Sequence, residues 1–229
     1  MKTIGLLGGT GWSSTIDYYR MLNQWVNERL GGYHSAKIIL KSIDYHFIVS
    51  HYGKDHDKVA EALYEELSGL IALNPDCVII CCNSLHKYYD LIKERLNSPI
   101  PVIHALDLVA DHIKKKNYSK VLLLATKFTM EDGFFAKKIE DVGVKVIIPA
   151  QEEREKMQAI HEELMQNIVT ASSKKYLSAL IRQYKEKGAE AVVLGCTEYP
   201  LVVTADSSDL PIIDPVQLQT AHAVDYALG

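Results

Sequence analysis

Short apolar runs alternate with longer amphipathic stretches along the chain. Several of the runs consist almost entirely of valine, isoleucine and leucine, as is typical of parallel strands that are covered on both faces. The pattern predicts strands at Thr3–Leu7, Lys37–Ile43, Cys77–Cys82, Val102–His104, Lys120–Ala125, Val144–Ile148, Ala191–Gly195 and Ile212–Ile213.

The stretches between these runs carry apolar residues at helical spacing. They predict helices at about Ser14–Arg29, Asp57–Leu73, His86–Leu96, Leu106–Lys116, Gly133–Val142, Arg154–Asn167, Ser172–Lys187 and Val216–Ala227. Because strands and helices alternate, we predict an α/β fold built on parallel sheets.

Two segments of the chain look alike. Asp76–Ser84 and Glu190–Glu198 each follow a helix and a short turn, and each carries a strand that ends in a cysteine followed by a polar residue. Cys82 and Cys196 lie 114 positions apart, and the first strands of the two halves are offset by 117. These similar offsets indicate two α/β halves related by duplication, although buried parallel strands resemble one another in any case.

The repeat suggests where a ligand would bind. Ligands of open α/β sheets bind beyond the carboxyl ends of the strands. If the two halves face each other, Cys82 and Cys196 would look at one another across a cleft.

Composition excludes several classes of function. The chain has 229 residues, enough for one large or two small domains, and 48% of them are apolar. Acidic residues outnumber basic ones by 29 to 25 without a long basic run, so we expect no nucleic-acid partner. We find neither a secretory pattern nor a window of about 18 apolar residues, and we expect a cytoplasmic protein without a membrane partner.

The two cysteines in the repeat suggest proton transfer. A cysteine between a strand and a helix is well placed to be reactive, since the positive end of the helix favours the thiolate. With Cys82 and Cys196 on opposite faces of one carbon, one thiolate could remove the α-proton of an amino acid and the other thiol could deliver a proton. Asn83, Ser84 and Thr197 would stabilise the substrate carboxylate as charge develops, so no cofactor is required.

Several nearby residues have alternative roles. Asn83, Ser84 and Thr197 could be helix caps, and Glu198 could serve the first helical turn, contact the substrate or tune Cys196. The other cysteines, Cys77 and Cys81, are expected to be buried small apolar residues.

The remaining motifs give weaker signals. The glycine-rich loop Gly8–Gly11 lacks the lysine of a phosphate loop and the third glycine of a dinucleotide site. Thr126 and Thr129 occupy the corresponding loop of the second half and are candidate substrate contacts. We predict a loop around His51 and His56, no metal site, and no redox function, because histidine ligand spacing and a CxxC motif are missing.

On these motifs, the sequence resembles the aspartate/glutamate racemase superfamily, and within it the aspartate racemase group that includes broad-specificity amino-acid racemases. The resemblance covers nearly the whole chain. The resemblance rests on the segments IGLLGGTGWSSTIDYYR, ERLGGYHSAKIILKSIDYH, CCNSLHK, ATKFTMEDGFF and GCTEYPL.

The resemblance implies two parallel-sheet α/β domains with pseudo-twofold symmetry and an active-site cleft between them. Residues 1–100 with 214–229 would form the N-terminal domain carrying Cys82, and residues 101–213 the C-terminal domain carrying Cys196. It also implies an amino-acid substrate, a homodimer, no pyridoxal phosphate and no metal. Cys82 and Cys196 match the acid/base pair, Asn83, Ser84 and Thr197 match carboxylate-binding positions, and Thr10 matches a glycine-loop position at the substrate site.

Two departures from the resemblance concern the substrate. Residues 33–60 contain no arginine, which some aspartate-specific members have in this region, and Met165 stands where those members have a lysine. Hydrogen bonds from His51 or Tyr52 could replace these cations, or the substrate could carry a neutral side chain. A hydantoin racemase, a maleate-isomerase-like enzyme and a non-catalytic amino-acid-binding protein are the alternatives.

Overall fold

The chain divides into two compact units. The structure is a computed structural model that describes residues 1–229. Unit 1 contains Met1–Ala105 together with Val216–Gly229, and unit 2 contains Leu106–Pro215. Each unit contains one four-stranded parallel sheet with helices, so the predicted α/β class is confirmed.

The sheet of unit 1 has the strand order β2-β1-β3-β4. Its strands and the helices of this part of the chain are β1 (Thr3–Gly8), α1 (Trp12–Leu30), β2 (Lys37–Ser42), α2 (His46–His51), α3 (His56–Ile71), β3 (Cys77–Ile80), α4 (Leu85–Leu96), β4 (Val102–Ile103) and α5 (Ala105–Lys115), which leads into unit 2.

The sheet of unit 2 has the order β6-β5-β7-β8, which is the same topology. The elements that follow α5 are β5 (Lys120–Leu124), α6 (Lys127–Asp132), α7 (Phe134–Glu140), β6 (Lys145–Ile147), α8 (Gln151–Met165), α9 (Ala171–Glu186), β7 (Ala191–Leu194), two 3₁₀ helices (Tyr199–Leu201 and Ala205–Ser207), β8 (Ile212–Ile213) and α10 (Pro215–Leu228). None of the helices combines the length and apolarity needed to cross a membrane.

The structure differs from the sequence prediction chiefly in its short helices. All the predicted strands are present, with ends that differ by up to two residues. The region around His51 and His56, predicted as a loop, instead contains α2 and the start of α3, and α6 was also missed. Helices α2 and α6 have six residues each, less than two turns, and so are too short to produce a readable apolar period.

An acidic residue joins the first and third strands of each sheet at their starting ends. In unit 1 the Asp76 carboxylate accepts a hydrogen bond of 2.6 Å from the Thr3 amide. In unit 2 the Glu190 carboxylate accepts bonds of 2.5 and 3.1 Å from the amides of Ser119 and Lys120. Because Asp76 and Glu190 occupy equivalent positions in the repeat, this shared contact supports the inferred duplication.

The last helix, α10, packs in unit 1. The Gln219 side chain donates to the Ile103 carbonyl at 2.6 Å and accepts from the Tyr18 hydroxyl at 2.9 Å. The Lys2 amide donates to the Ala227 carbonyl at 2.9 Å. These contacts join the end of the chain to the first helix, the fourth strand and the first residues of unit 1.

Candidate functional site

Cys82 lies between a buried strand and a helix, as the sequence predicts. Strand β3 ends at Ile80, and the Cys81 amide still donates to the Leu7 carbonyl of β1 at 2.9 Å. The chain then turns through Asn83 and Ser84 into α4, which has 12 residues. The half-buried thiol of Cys82 is therefore close in sequence to the N-terminus of α4, whose partial positive charge favours anions.

The Cys82 thiol and three hydroxyl side chains form a closed ring of hydrogen bonds. The Cys82 Sγ lies 3.4 Å from the Tyr45 hydroxyl and 3.2 Å from Ser84 Oγ. The Tyr52 hydroxyl completes the ring, at 3.0 Å from Ser84 Oγ and 2.5 Å from the Tyr45 hydroxyl. We call this set the hydroxyl ring. Burial, followed by the charge of Cys82, raises the pKa of both tyrosines, so their hydroxyls stay protonated and able to donate.

Only one of the two expected substrate contacts near α2 lies in this ring. The Tyr52 ring stacks on Tyr88 with centroids 5.7 Å apart, and the Tyr88 hydroxyl lies 2.9 Å from His56 Nδ1. His51 instead turns back along its own helix, where its Nδ1 is 2.8 Å from the Phe47 carbonyl. Tyr52 therefore joins the Cys82 site, while His51 contacts Phe47 and Ser50 of its own helix.

The glycine loop contacts the chain next to Cys82. The buried Thr10 hydroxyl donates to the Cys81 carbonyl at 3.0 Å. Gly9 has φ +85°, and a Cβ there would overlap the Ile43 backbone, so only glycine fits this turn. Asn83, which was also expected near the substrate, directly follows Cys82 in the sequence and is buried.

Cys196 occupies the equivalent position in unit 2, after β7. Gly195 precedes it, and a Cβ at that position would lie 2.9 Å from the Ala125 side chain. A cysteine is expected to be reactive where a helix follows its strand, but the first helix after Cys196 is the 3₁₀ helix Tyr199–Leu201, with Pro200 inside it. Because it has only three residues, Cys196 lacks the helix dipole on which that expectation depends.

A buried carboxylate accompanies Cys196 instead. The Cys196 thiol donates to Glu198 Oε2 at 2.8 Å, and the Thr197 hydroxyl donates to Oε1 at 2.9 Å. His161 of α8 brings its Nε2 to 3.6 Å from Oε2. Burial alone would raise the pKa of Glu198, but its contacts with His161, Cys196 and Thr197 outweigh this effect and lower the pKa.

The other two candidate contacts of unit 2 cap a helix. The Thr126 hydroxyl accepts a hydrogen bond from the Thr129 amide at 3.2 Å and donates one to the Thr129 hydroxyl at 3.0 Å. The Tyr199 hydroxyl donates to the Ala125 carbonyl at 3.2 Å, which ties this loop to the turn that follows Cys196. N-capping of α6 accounts for the local contacts of Thr126 and Thr129.

Three side chains that can bind a metal, those of His161, Cys196 and Glu198, lie close together and form the Cys196 cluster. The donor atoms of His161, Cys196 and Glu198 lie within 4.8 Å of one another. Structural zinc sites use four protein ligands, whereas this cluster offers three donors. The Sγ–Oε2 distance of 2.8 Å is also that of a hydrogen bond. The cluster therefore fits an acid–base group better than a structural zinc site.

Sequence reasoning missed two residues, Tyr45 and His161. Both reach their cysteines from other elements, so no local motif indicates them. The paired tyrosines in the segment 45–52 and the single histidine on the helical pattern of α8 are the only signals that the sequence offers.

Comparisons with known proteins agree with the resemblance. The family model for Asp/Glu/Hydantoin racemase matches residues 7–223. A proposed Asp/Glu racemase from Yersinia pestis is 37% identical, with a TM-score of 0.89 and full coverage of both chains. An aspartate racemase homologue from Pyrococcus horikoshii OT3 is 28% identical, again with full coverage of both, at a TM-score of 0.87.

A curated relative extends this comparison. A glutamate racemase from Clostridium acetobutylicum is 25% identical over 84% of this chain and 78% of its own. The match to the family model spans nearly all of the chain, including both cysteine motifs. The chain belongs to the Asp/Glu/hydantoin racemase family.

Proposed function

We propose that the protein is a cofactor-independent amino-acid racemase in which Cys82 and Cys196 are the two acid–base groups. The observation that carries this proposal is their equivalent placement. Each follows the third strand of a sheet with the same topology, and each sulfur contacts polar side chains. Two related thiols suit a reaction that treats the two faces of one carbon alike.

The proposed reaction moves one proton at each face. A thiolate removes the α-proton, and the electron pair of the C–H bond passes to the α-carbon and its carboxylate. The opposite thiol then donates its proton to the other face, so that the first sulfur ends as a thiol and the second as a thiolate. The reverse reaction exchanges the two roles.

The substrate carboxylate must be stabilised while charge develops on it. We assign this role to Asn83 and Ser84 beside Cys82, with the first amides of α4, and to Thr197 beside Cys196. Thr10 is held near the first group by its bond to the Cys81 carbonyl. In the resting structure Ser84 and Thr197 also hold their neighbours, so they would exchange these partners for substrate.

Aspartate and glutamate are the first substrates to test. The names of two similar proteins, the glutamate racemase and the aspartate racemase homologue, mention them. A further relative is a broad-specificity amino-acid racemase from Bacillus subtilis (strain 168), 25% identical over 70% of this chain and 68% of its own. A neutral substrate is the second candidate, because residues 33–60 lack arginine and Met165 is uncharged. A cytoplasmic homodimer completes the proposal, on the strength of the family resemblance.

The test is a screen of L- and D-amino acids, with 5-substituted hydantoins, for deuterium uptake from D2O at the stereocentre. We expect uptake and loss of optical rotation with at least one amino acid. Replacing Cys82→Ser or Cys196→Ser should abolish racemisation while the circular dichroism of the folded chain is unchanged. Cys77→Ala, which removes a thiol at the far end of β3, is the control and should stay active.

Three results would contradict the proposal. Uptake with hydantoins alone would indicate a hydantoin racemase. A covalent mass adduct on one cysteine with maleate would indicate a maleate-isomerase-like enzyme. Thermal stabilisation by an amino acid without deuterium uptake would indicate a binding protein.

A further inference from the structure

The two cysteines have different chemical surroundings in spite of their equivalent positions. We propose that the Glu198 carboxylate keeps Cys196 protonated in the resting enzyme, so that Cys196 is the first proton donor and Cys82 the first base. This inference rests on the proposed function for its catalytic meaning. The protonation of Cys196 itself can be measured without any substrate.

The short contact between Cys196 and Glu198 requires a proton. Their Sγ and Oε2 atoms are 2.8 Å apart, and both residues are less than a tenth exposed. A thiolate and a carboxylate at this distance, shielded from water, would repel each other strongly. The pair therefore shares at least one proton, and its two groups titrate together.

The proton belongs on sulfur rather than on oxygen. An ordinary carboxyl group is more acidic than an ordinary thiol by about four pH units. Here Thr197 donates to Oε1, and His161 lies within ion-pair distance of Oε2. Both contacts favour the ionised carboxylate of Glu198, which leaves the proton on Cys196.

The other titratable groups that face Cys196 within unit 2 do not reverse this conclusion. His161 comes from α8 and stands beside the carboxylate. Tyr199 lies in the turn after Cys196, and burial followed by the charges of Cys196 and Glu198 raises its pKa, so it stays neutral. Its hydroxyl donates to the Ala125 carbonyl.

The hydroxyl ring in unit 1 offers a different environment. The side chains within hydrogen-bond distance of the Cys82 sulfur are those of Tyr45 and Ser84, and both are neutral hydroxyls that can donate to it. A negative charge on Cys82 therefore meets donors, whereas one on Cys196 meets a second negative charge. This contrast assigns the base to unit 1 and the acid to unit 2 at the start of a cycle.

The experiment measures how alkylation of each cysteine by iodoacetamide depends on pH, followed by mass spectrometry of the separate peptides. The quantity compared is the pH at the midpoint of the rate increase, because this midpoint reports ionisation of the thiol even where burial slows the reaction. In Glu198→Gln we expect the midpoint for Cys196 to fall by about one pH unit or more, and that for Cys82 to stay unchanged. The pH at which kcat/KM falls on the alkaline side of its profile should decrease by a similar amount.

Glu163→Gln is the matched control, since Glu163 is exposed on α8, the helix that carries His161. It should leave both midpoints unchanged. If Glu198→Gln leaves the Cys196 midpoint unchanged or raises it, the carboxylate does not hold the proton and the proposal is wrong.

A second measurement avoids altering Glu198. Cys82→Ser retains Cys196 and should show no ultraviolet thiolate absorbance at neutral pH, because burial raises the pKa of Cys77 to about 11 and also raises the pKa of Cys81 well above its ordinary value. A full thiolate band in this variant would overturn the assignment. Normal titration without deuterium uptake in the wild type would instead overturn the proposed function and leave the protonation of Cys196 standing.

Discussion

At the scale of single residues, an equivalent backbone position does not give two cysteines the same chemistry. Cys82 is surrounded by hydroxyl groups and Cys196 by a carboxylate and an imidazole. The residues that create this difference include Tyr45 and His161, which come from elements outside the cysteine motifs. The backbone repeat could therefore be predicted from the sequence, whereas the difference between the thiols required the structure.

Tyr45→Phe tests whether the hydroxyl ring stabilises a thiolate at Cys82. The change removes the hydroxyl 3.4 Å from Sγ and keeps the aromatic ring. A hydrogen bond to a charged group contributes about 1.5–3 kcal/mol, so the iodoacetamide reaction of Cys82 at neutral pH should slow about tenfold or more. Tyr33→Phe, at a fully exposed tyrosine, should have no effect. An unchanged rate in Tyr45→Phe would show that this hydroxyl does not support the thiolate.

At the scale of elements, strands were easier to predict than the helices of the site. The buried strands are continuous apolar runs, and their positions and the α/β class follow from that pattern. Helix α2 and the 3₁₀ helix after Cys196 contain too few residues to show a period. Ser84 and Tyr52 were both expected near the substrate and do meet at Cys82, while His51, the last residue of α2, has local contacts.

Glu190→Gln tests the acidic contact between β5 and β7. Hydrogen bonds from the Ser119 and Lys120 amides lower the pKa of Glu190. The stability due to its charge is then fully present above the ordinary glutamate pKa of about 4.3, and it is lost as pH falls through the lower pKa of the folded protein. The wild type should therefore have the higher urea midpoint at pH 7, and this advantage should shrink towards pH 3.

The control for this change is Glu186→Gln, at an exposed residue near the end of α9. Its urea midpoint should follow that of the wild type. An advantage of equal size at both pH values in Glu190→Gln would show that the ionised carboxylate is not what stabilises the contact.

At the scale of the whole molecule, unit 1 is assembled from two separate stretches of chain. Helix α10 contributes the buried residues Gln219, Thr220, Ala223 and Val224 to it. We predict that deletion of residues 215–229 makes the amides of β1 and β3 exchange rapidly with D2O, because the covering side chains and the bonds to Ile103 and Tyr18 are lost. The amides of β5 and β7 should stay protected.

Deletion of Gly229 alone is the control for that experiment, because this exposed residue lies beyond α10. It should leave both sheets protected. Slow exchange of β1 and β3 in the longer deletion would show that unit 1 does not depend on its last helix.

The return of the chain to unit 1 through α10 has a consequence for biosynthesis. A ribosome makes this helix after the elements of unit 2, so the stretch that carries Cys196 is complete in the nascent chain while the stretch that carries Cys82 still lacks part of its core. The middle of the polypeptide can thus fold first, against the usual order from the N-terminus. A chaperone that binds exposed apolar surface would find its target in the part of the nascent protein that was made before the Cys196 stretch.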